Sequence, residues 1–340
     1  MKEQREREKI MGTKRSKEVT AIIGSILFSL CVLALTTGVH GATAAYPERP
    51  VTLVVPYAPG GVTDLGARVL ADAMEKHLKK SVVVTNKAGG GTTIGGYAVA
   101  AAKPDGYTLG FFPTSASIPE VYTYFHEAPY TSKDLKPICR ILAPVLAITV
   151  KGDSSLESIR DLVGFAAKNP NTKSATHGKS TLGYLAMQTI GKAEKVNFVD
   201  VPFDGDSQIV PAILGGHVPV GTPAYPAVKS LLGGKKLKVL ALLIEKRADF
   251  APNVPTLVEL GYKLAFVSYL GVFAPKGTPD DIVRKINEAV AKIAQYPDFR
   301  SKISGMGTQL SYEDTDSFEK SIDQYKENLR VFFKEEGLVK

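Results

Sequence analysis

The sequence has no tryptophan and only two cysteines among its 340 residues. Two cysteines, Cys31 and Cys139, are too few for a disulfide-rich scaffold or for a cysteine-rich zinc site. The composition is otherwise ordinary, with 44% hydrophobic and 22% charged residues. These proportions exclude a collagen-like chain, a low-complexity disordered chain and a protein with many membrane spans.

Complete nucleotide-binding motifs are also missing. The segment HGKST (177–181) resembles the end of a phosphate-binding loop, but the glycine that such a loop needs five positions before Gly178 is Lys173. The segment AGGGTTIGG (88–96) gives no G-x-G-x-x-G in any register, and a dinucleotide-binding turn requires that spacing. The sequence therefore predicts no nucleotide cofactor.

No local pattern supports a metal site or a catalytic centre. No G-x-S-x-G motif is present. Beyond the N-terminal 44 residues, no histidine lies three or four positions from another histidine or from a cysteine; these histidines are His77, His126, His177 and His217. We expect no metal, no cofactor and no catalytic residue. A Ser-His-Asp set scattered along the chain remains the alternative.

The positive charge is modest and offers no nucleic-acid surface. The formal net charge is +8, and the sequence pI is about 9.2. A basic cluster flanks one hydrophobic strand (Lys235, Lys236, Lys238, Lys246 and Arg247) without interleaved aromatic residues, so nucleic acid is not an expected partner. A mild basic surplus suits an anionic ligand.

The first 44 residues have the pattern of a secretory signal peptide. A charged stretch precedes an apolar run from Val19 to Val39, and an A-x-A site follows at 42–44. We expect cleavage after Ala44 and a periplasmic location. Because about 20 apolar residues can span a bilayer, an uncleaved anchor is the alternative.

The rest of the chain alternates predicted strands and helices. Apolar runs at 51–56, 81–85 and 107–112 are separated by helical segments, a βαβαβ order that favours a parallel sheet with helices on its faces. Ser154 and Glu157 fit the pattern of a capping box, and Thr278 is the predicted N-cap of a later helix. A last amphipathic helix is predicted from about Thr315 to Lys334.

Loops rich in Gly, Ser and Thr recur at predicted helix starts. They are PGGVTD (59–64), GGGTTIG (89–95), TSAS (114–117), THGKST (176–181) and DGDS (204–207). A helix N-terminus offers free N–H groups and a partial positive charge. Several such ends facing one cleft would bind a carboxylate without arginine; each loop alone could equally be a capped turn.

Two long motifs resemble a known family of receptors. The segments YPERPVTLVVPYAPGGVTDLGAR (46–68) and VVVTNKAGGGTTIGGYAVAAAKPDGYTL (82–109) are similar to the substrate-binding proteins of tripartite tricarboxylate transporters, the Bug receptors. VPFDGDSQIVPAILGGHV (201–218) and GVFAPKGTPDDIVRKINEAV (271–290) fit the same family in order. The resemblance covers residues 46–340.

The resemblance implies an α/β type II periplasmic binding protein fold, with two lobes and a ligand cleft between them. It also implies a small carboxylate-bearing ligand and a membrane permease partner with one large and one small subunit. The ligand-binding residues that it implies are Tyr57, Gly60, Gly61, Asp64, Thr92, Thr93 and Ser115 from the first lobe, and Thr176, Ser180, Thr181, Phe203 and Asp204 from the second.

The strand pattern predicts a discontinuous first lobe, because two long predicted strands, 145–150 and 266–273, interrupt the strand–helix units and would serve as crossovers. It comprises residues 45–146 and 266–340, and residues 147–265 form the second lobe. We expect a monomeric solute-binding protein that delivers a mono-, di- or tricarboxylate without altering it. A sensory receptor for a histidine kinase and an exported enzyme on the same scaffold are the alternatives.

The chain departs from the family pattern in the region of the predicted cleft. Thr92 replaces a glycine, and Phe203-Asp204-Gly205 stands where Tyr-Lys-Gly is usual. Pro223 replaces an acid, which weakens the case for an amino-acid ligand. The added acid Asp204 complicates a purely anion-binding pocket.

Overall fold

The structure is a computed structural model that describes residues 46–122, 127–179, 181–263, 268–335 and 337. The chain divides into a short unit, 1–48, and a large unit, 49–340. The predicted signal peptide, 1–44, lies outside the described residues. All strands and helices given below belong to the large unit.

Eleven strands and ten α-helices occur in the described part of the large unit. The strands are β1 (Val51–Val55), β2 (Val82–Asn86), β3 (Thr108–Phe112), β4 (Leu135–Ala143), β5 (Ala147–Lys151), β6 (Thr172–Thr176), β7 (Phe198–Pro202), β8 (Val220–Gly221), β9 (Leu237–Leu242), β10 (Leu270–Pro275) and β11 (Gln309–Glu313). The helices are α1 (Val62–Leu78), α2 (Thr93–Ala100), α3 (Thr114–Ser117), α4 (Ile159–Lys168), α5 (Leu182–Glu194), α6 (Asp206–Leu214), α7 (Tyr225–Leu232), α8 (Asp280–Ile293), α9 (Pro297–Met306) and α10 (Thr315–Glu335).

The first sheet combines strands from two distant parts of the chain. Its order is β11-β4-β10-β3-β1-β2. As the βαβαβ pattern predicts, β1 pairs in parallel with β2 and β3. β10 returns from far along the chain and pairs antiparallel with both β3 and β4, while β11 pairs antiparallel with β4. The sheet is therefore mixed rather than wholly parallel.

The second sheet uses only strands that lie between β4 and β10 in the sequence. Its order is β7-β6-β8-β5-β9. β6 pairs in parallel with β7 and β8, whereas β5 runs antiparallel to β8 and β9. The chain thus leaves the first sheet after β4 and returns to it at β10.

Strand β10 lies at the centre of the first sheet's core. All six of its residues are buried. The Phe273 ring stacks on Phe112 of β3, with centroids 5.8 Å apart, and lies 5.4 Å from Phe318 of α10. Burying three aromatic rings together is strongly favourable. The C-terminal segment is therefore an integral part of the first sheet's lobe.

Two helices begin at other residues than the sequence predicts. Thr278 does not cap α8; its hydroxyl donates to the Pro275 carbonyl at 2.8 Å. The N-cap of α4 is Ser158 rather than Ser154, and its Oγ accepts the Asp161 N–H at 3.1 Å. The predicted C-terminal helix is confirmed as α10.

Candidate functional site

The loop after β1 is fixed by one buried carboxylate. Asp64 in α1 is 2% exposed. Its Oδ2 accepts the Gly60 N–H at 2.9 Å and Arg68 Nε at 3.0 Å. Its Oδ1 accepts Arg68 Nη2 and Asn86 Nδ2, both at 2.9 Å. All these partners belong to the first lobe, so Asp64 fastens the loop to α1 and β2.

The same bonds keep Asp64 ionised. Burial raises the pKa of the Asp64 carboxyl, but hydrogen bonds from Arg68, the Gly60 N–H and Asn86 outweigh burial, and the pKa lies below its usual value. Asn86 Nδ2 also donates to the Tyr57 carbonyl at 3.0 Å. Asn86 therefore ties the backbone that carries Tyr57 to the Asp64 carboxylate.

The loop after β2 follows a path that favours glycine. Gly89, Gly90 and Gly91 have φ values of 112°, 59° and 59°, and Thr92 follows at 84°. A Cβ on Gly90 would lie 2.5 Å from Thr93 Oγ1, so a side chain there would collide. Thr93 Oγ1 donates to the Gly90 carbonyl at 2.8 Å. Thr93 therefore closes the loop on itself.

Three predicted side chains meet at this edge of the first sheet. Thr92 Oγ1 donates to Ser115 Oγ at 3.1 Å. Burial raises the pKa of the Tyr57 phenol, partly offset by a hydrogen bond from Ser115, and the charge on Asp206 raises it further. Tyr57 therefore stays a neutral hydroxyl that can donate and accept.

In the second lobe, the loop after β6 is closed by its own threonines. Thr176 is fully buried, and its hydroxyl donates to Asp200 Oδ1 at 2.6 Å and accepts the Gly178 N–H at 2.9 Å. Thr181 Oγ1 donates to the Gly178 carbonyl at 2.7 Å. Ser180 lies outside the described residues, so its predicted role stays a prediction.

A second buried carboxylate, which sequence reasoning did not single out, lies at the start of α6. Asp206 is 5% exposed. Its Oδ1 accepts the Ala224 N–H at 2.9 Å and lies 3.0 Å from His177 Nε2. Its Oδ2 accepts the N–H of Val62, the first residue of α1, at 3.1 Å. Asp206 therefore bonds to both lobes.

The neighbours of Asp206 stabilise its charge. Burial raises the pKa of the Asp206 carboxyl, but His177 and the N–H groups of Ala224 and Val62 outweigh burial and hold the pKa below its usual value. The His177 ring also meets the Tyr57 ring edge-on, with centroids 5.4 Å apart. His177 thus links the buried carboxylate to the predicted ligand-binding tyrosine.

The two lobes touch along the loops 57–62 and 203–207. The Ala58 N–H donates to the Asp204 carbonyl at 2.8 Å, next to the bond between Val62 and Asp206. A Cβ on Gly61 would lie 3.4 Å from both the backbone N and Oδ2 of Asp206. Gly61 has a φ of −81°, which any residue can adopt. Glycine is favoured here because a side chain would press against Asp206 of the second lobe.

Two chambers lie between the lobes, and both are lined by Tyr57 and His177. We call the chamber lined by Thr114 and Asp206 the inner chamber, with a volume of about 50 Å³, and the chamber lined by the glycine loop 89–91 the outer chamber, with a volume of about 450 Å³. The outer chamber lies against the glycine loop 89–91 and also contacts Lys179 and Asp200. Burial raises the pKa of the Asp200 carboxyl, against the opposing effects of Thr176 and Lys179. The cleft therefore holds charges of both signs.

The structure gathers half of the predicted binding residues at these chambers. Tyr57 lines both, Ser115 and Thr181 line the inner one, and Thr92, Phe203 and Asp204 line the outer one. Five other predicted residues, all within the described part of the chain, line neither; they are Gly60, Gly61, Asp64, Thr93 and Thr176. Each of these five instead shapes a loop next to the cleft.

Several polar residues that line the chambers were not predicted from the sequence, among them His177, Asp206, Thr114 and Lys179. All four fall within, or at the start of, loops that the sequence analysis marks as helix starts. The sequence carries no local signal of where each side chain of such a loop points.

Among the described residues, no group of three or more His, Cys, Asp and Glu side chains is arranged to hold a metal ion.

Two α/β lobes that enclose a ligand-sized cleft define the class of two-lobed solute-binding proteins. The family model of the tripartite tricarboxylate transporter family receptor matches residues 66–338, and the chain belongs to this family. Its members are solute-binding receptors. In the described part of the chain, no helix combines the length and the apolar character needed to cross a membrane.

Individual relatives agree with this assignment. The chain is 32% identical to Protein BugT of Bordetella pertussis, over 78% of this chain and 84% of that protein. It is similar to the structure of the periplasmic binding protein BugD, with a TM-score of 0.78, 30% identity and coverage of 86% and 99%. An R. palustris protein solved with adipate has a TM-score of 0.78, 25% identity and coverage of 86% and 98%.

Proposed function

We propose that this chain captures a small carboxylate-bearing ligand between its lobes and delivers it, unaltered, to a membrane permease with one large and one small subunit. One observation carries the proposal: polar groups from both lobes surround a shared cleft, with Tyr57 and the glycine loop 89–91 on one side and Lys179 on the other. The adipate held by the R. palustris relative supports a carboxylate ligand.

The number of polar groups is sufficient for useful affinity. Hydrogen bonds to a charged group contribute roughly 1.5–3 kcal/mol each. A micromolar complex requires about 8 kcal/mol at a 1 M standard state. Four to six contacts from the two lobes would reach this value after the cost of ordering the ligand. No metal or cofactor is needed to hold the ligand.

The predicted site residues fall into two roles in this proposal. The six that line the chambers touch the ligand: Tyr57, Thr92, Ser115, Thr181, Phe203 and Asp204. The others position loops, as Asp64 does through its bond to the Gly60 N–H. Ser180 stays assigned to the ligand site by the family resemblance alone.

The lobe boundaries are part of the same proposal. We place residues 45–146 and 266–340 in the first lobe and 147–265 in the second. The separate strand sets of the two sheets support this division. Closure would then be a rotation about the two places where the chain passes between the lobes, one near residue 146 and one near residue 265.

Export and partnership follow from the predicted signal peptide and from the family. We propose cleavage after Ala44, release into the periplasm and function as a monomer. N-terminal sequencing of the exported protein should start at Ala45 or within a few residues of it. A full-length chain retained in the membrane would contradict cleavage.

A thermal-shift screen of the exported protein tests the binding proposal. Ligands that bind only the folded state raise the melting temperature. We expect a rise with at least one small carboxylate from a panel that includes adipate, succinate and 4-hydroxybutyrate. The matched control is the corresponding amide, such as adipamide, which should give no rise. No shift with any carboxylate, or equal shifts with the amides, would contradict a carboxylate-binding site.

The transport step needs its own test. Deleting the gene for this chain should abolish high-affinity uptake of the carboxylate identified by the screen, and mass spectrometry should recover the ligand unchanged from the purified protein. Unimpaired uptake together with loss of a transcriptional response would support a sensory role. Chemical conversion of the ligand would instead support an enzyme.

A further inference from the structure

The inner end of the cleft already contains a carboxylate that belongs to the chain itself. Asp206 lines the inner chamber. Its carboxylate accepts hydrogen bonds from the N–H groups of Val62 and Ala224 and lies 3.0 Å from His177 Nε2. The Val62 N–H belongs to the first turn of α1 and has no acceptor within the helix, the kind of group that binds a ligand anion. In this structure Asp206 satisfies that donor.

Apart from His177, which already contacts Asp206, no basic side chain among the described lining residues could balance a second negative charge in the inner chamber. Neither lysine nor arginine occurs among the described residues that line it. Most of its wall is apolar and includes Leu146, Leu182 and Leu270. A ligand carboxylate there would lie close to Asp206 in surroundings of low polarity, where like charges repel strongly.

One hydroxyl in this chamber points to an uncharged polar ligand group. Thr114 is 2% exposed and lines the chamber, and its Oγ1 has no hydrogen-bond partner among the described residues. A buried hydroxyl without a partner is unfavourable. A ligand hydroxyl or carbonyl at the inner end would provide the missing hydrogen bond, and a volume of about 50 Å³ accommodates only a few water-sized groups.

The outer chamber suits the charged end of such a ligand. At about 450 Å³ it is much larger, and it is lined by Lys179 and by the glycine loop 89–91, which permits close backbone approach. Asp200 and Asp204 also line it. These two acids limit the negative charge that the outer chamber can take, so one carboxylate beside Lys179 fits better than two.

We propose that Asp206 makes this receptor selective for monocarboxylates that carry an uncharged polar group at the other end, and that it excludes dicarboxylates of the same length. The inference rests on the proposed function and narrows its ligand class. The carboxylate of the ligand lies in the outer chamber. The uncharged end passes Tyr57 and His177 and meets Thr114 in the inner chamber.

Calorimetric titration of the exported protein with matched pairs tests this selectivity. The pairs are 4-hydroxybutyrate against succinate and 6-hydroxyhexanoate against adipate, in which a CH₂OH group replaces one carboxylate. We expect the hydroxy acid to bind at least tenfold more tightly in the pair of suitable length. Dicarboxylates that bind as tightly as their hydroxy acids, or more tightly, would overturn the inference while leaving carboxylate binding intact. No heat with any carboxylate would overturn the proposed function, and the inference with it.

Two variants assign the selectivity to residues. Asp206→Asn removes the charge at nearly constant size and should reduce the preference for the hydroxy acid at least tenfold. Asp153→Asn, an exposed change in the same lobe, is the matched control and should keep the wild-type preference. An unchanged preference in Asp206→Asn would overturn the role of Asp206.

Thr114→Val is a second test of the ligand's orientation, and it can be carried out even if Asp206→Asn does not fold. Valine keeps the shape but removes the hydroxyl, so 4-hydroxybutyrate should lose about tenfold in affinity while butyrate does not. Equal effects on the two ligands would overturn the placement of the uncharged end at Thr114.

Discussion

The two sides of the cleft are each organised by a buried aspartate, but the two aspartates differ in where their partners lie. Asp64 is satisfied entirely within the first lobe, by Gly60, Arg68 and Asn86. Asp206 takes one of its three donors, the Val62 N–H, from the opposite lobe. The loop held by Asp64 is therefore fixed within its own lobe, whereas Asp206 makes one of its three contacts only across the junction between the lobes.

Acidification should break both arrangements at once and is the largest expected effect. The pKa values of the Asp64 and Asp206 carboxyls are lowered in the folded protein. Their contributions are therefore present above the unfolded pKa, about 3.9, and are lost as the pH falls through the lower folded values. Circular dichroism during acid titration should show loss of stability below about pH 4. In Asp64→Asn, stability should depend less steeply on pH than in the wild type. The same pH dependence in both proteins would contradict the contribution assigned to the Asp64 carboxylate.

Removing the first-lobe aspartate should cost the most of any single change. Asp64→Ala removes the acceptor of the Gly60 N–H and of the Arg68 guanidinium, and one of the two acceptors of the Asn86 amide, so we expect a loss of about 3 kcal/mol in the free energy of unfolding. Urea unfolding measures this loss. Asp72→Ala, an exposed position on the same helix, is the control and should change stability by less than about 0.5 kcal/mol. A similar small effect at Asp64 would contradict its role in fastening the loop.

Gly61→Val should act on the contact between the lobes instead of on folding. The new side chain would press on the Asp206 backbone and carboxylate, 3.4 Å from the Cβ position. We expect at least a tenfold loss of ligand affinity by calorimetry and a larger radius of gyration in small-angle scattering, with little change in melting temperature. In Gly164→Val, where a Cβ meets nothing within 4 Å, affinity should be unchanged. Unchanged affinity in Gly61→Val would remove this loop from the closing contact.

The smallest effect is expected away from the cleft. Ser158→Ala removes the N-cap of α4 and should cost about 1 kcal/mol of stability. Ligand affinity should stay at the wild-type value, because α4 does not line either chamber in the described structure. Ser154→Ala is the matched control, since Ser154 accepts the Leu156 N–H but caps no helix. Equal losses for the two variants would contradict the assigned cap.

The sequence predicts the first-lobe side of the cleft well for a physical reason. The carboxyl ends of β1, β2 and β3 share one edge because these strands are parallel, so the residues that follow them meet there. Tyr57, Thr92 and Ser115 are examples. Their proximity follows from strand order alone.

Asp206 could not be predicted in the same way. Its partner Val62 lies 144 positions away in the other lobe, and nothing local distinguishes a carboxylate that bonds across the cleft from one that begins a helix. The start of α4 shows a related limit. Ser154-x-x-Glu157 and Ser158-x-x-Asp161 both fit a capping pattern, and the core contacts of Ile159 and Leu162 decide between them.

A crystal structure with a bound carboxylate would show whether both lobes contact the ligand. The crystals would contain the strongest binder among adipate, succinate and 4-hydroxybutyrate. We expect one ligand between the lobes, in contact with Tyr57 of the first lobe and with Thr181 or Phe203 of the second. A ligand bound to one lobe alone, or outside the two chambers, would contradict it.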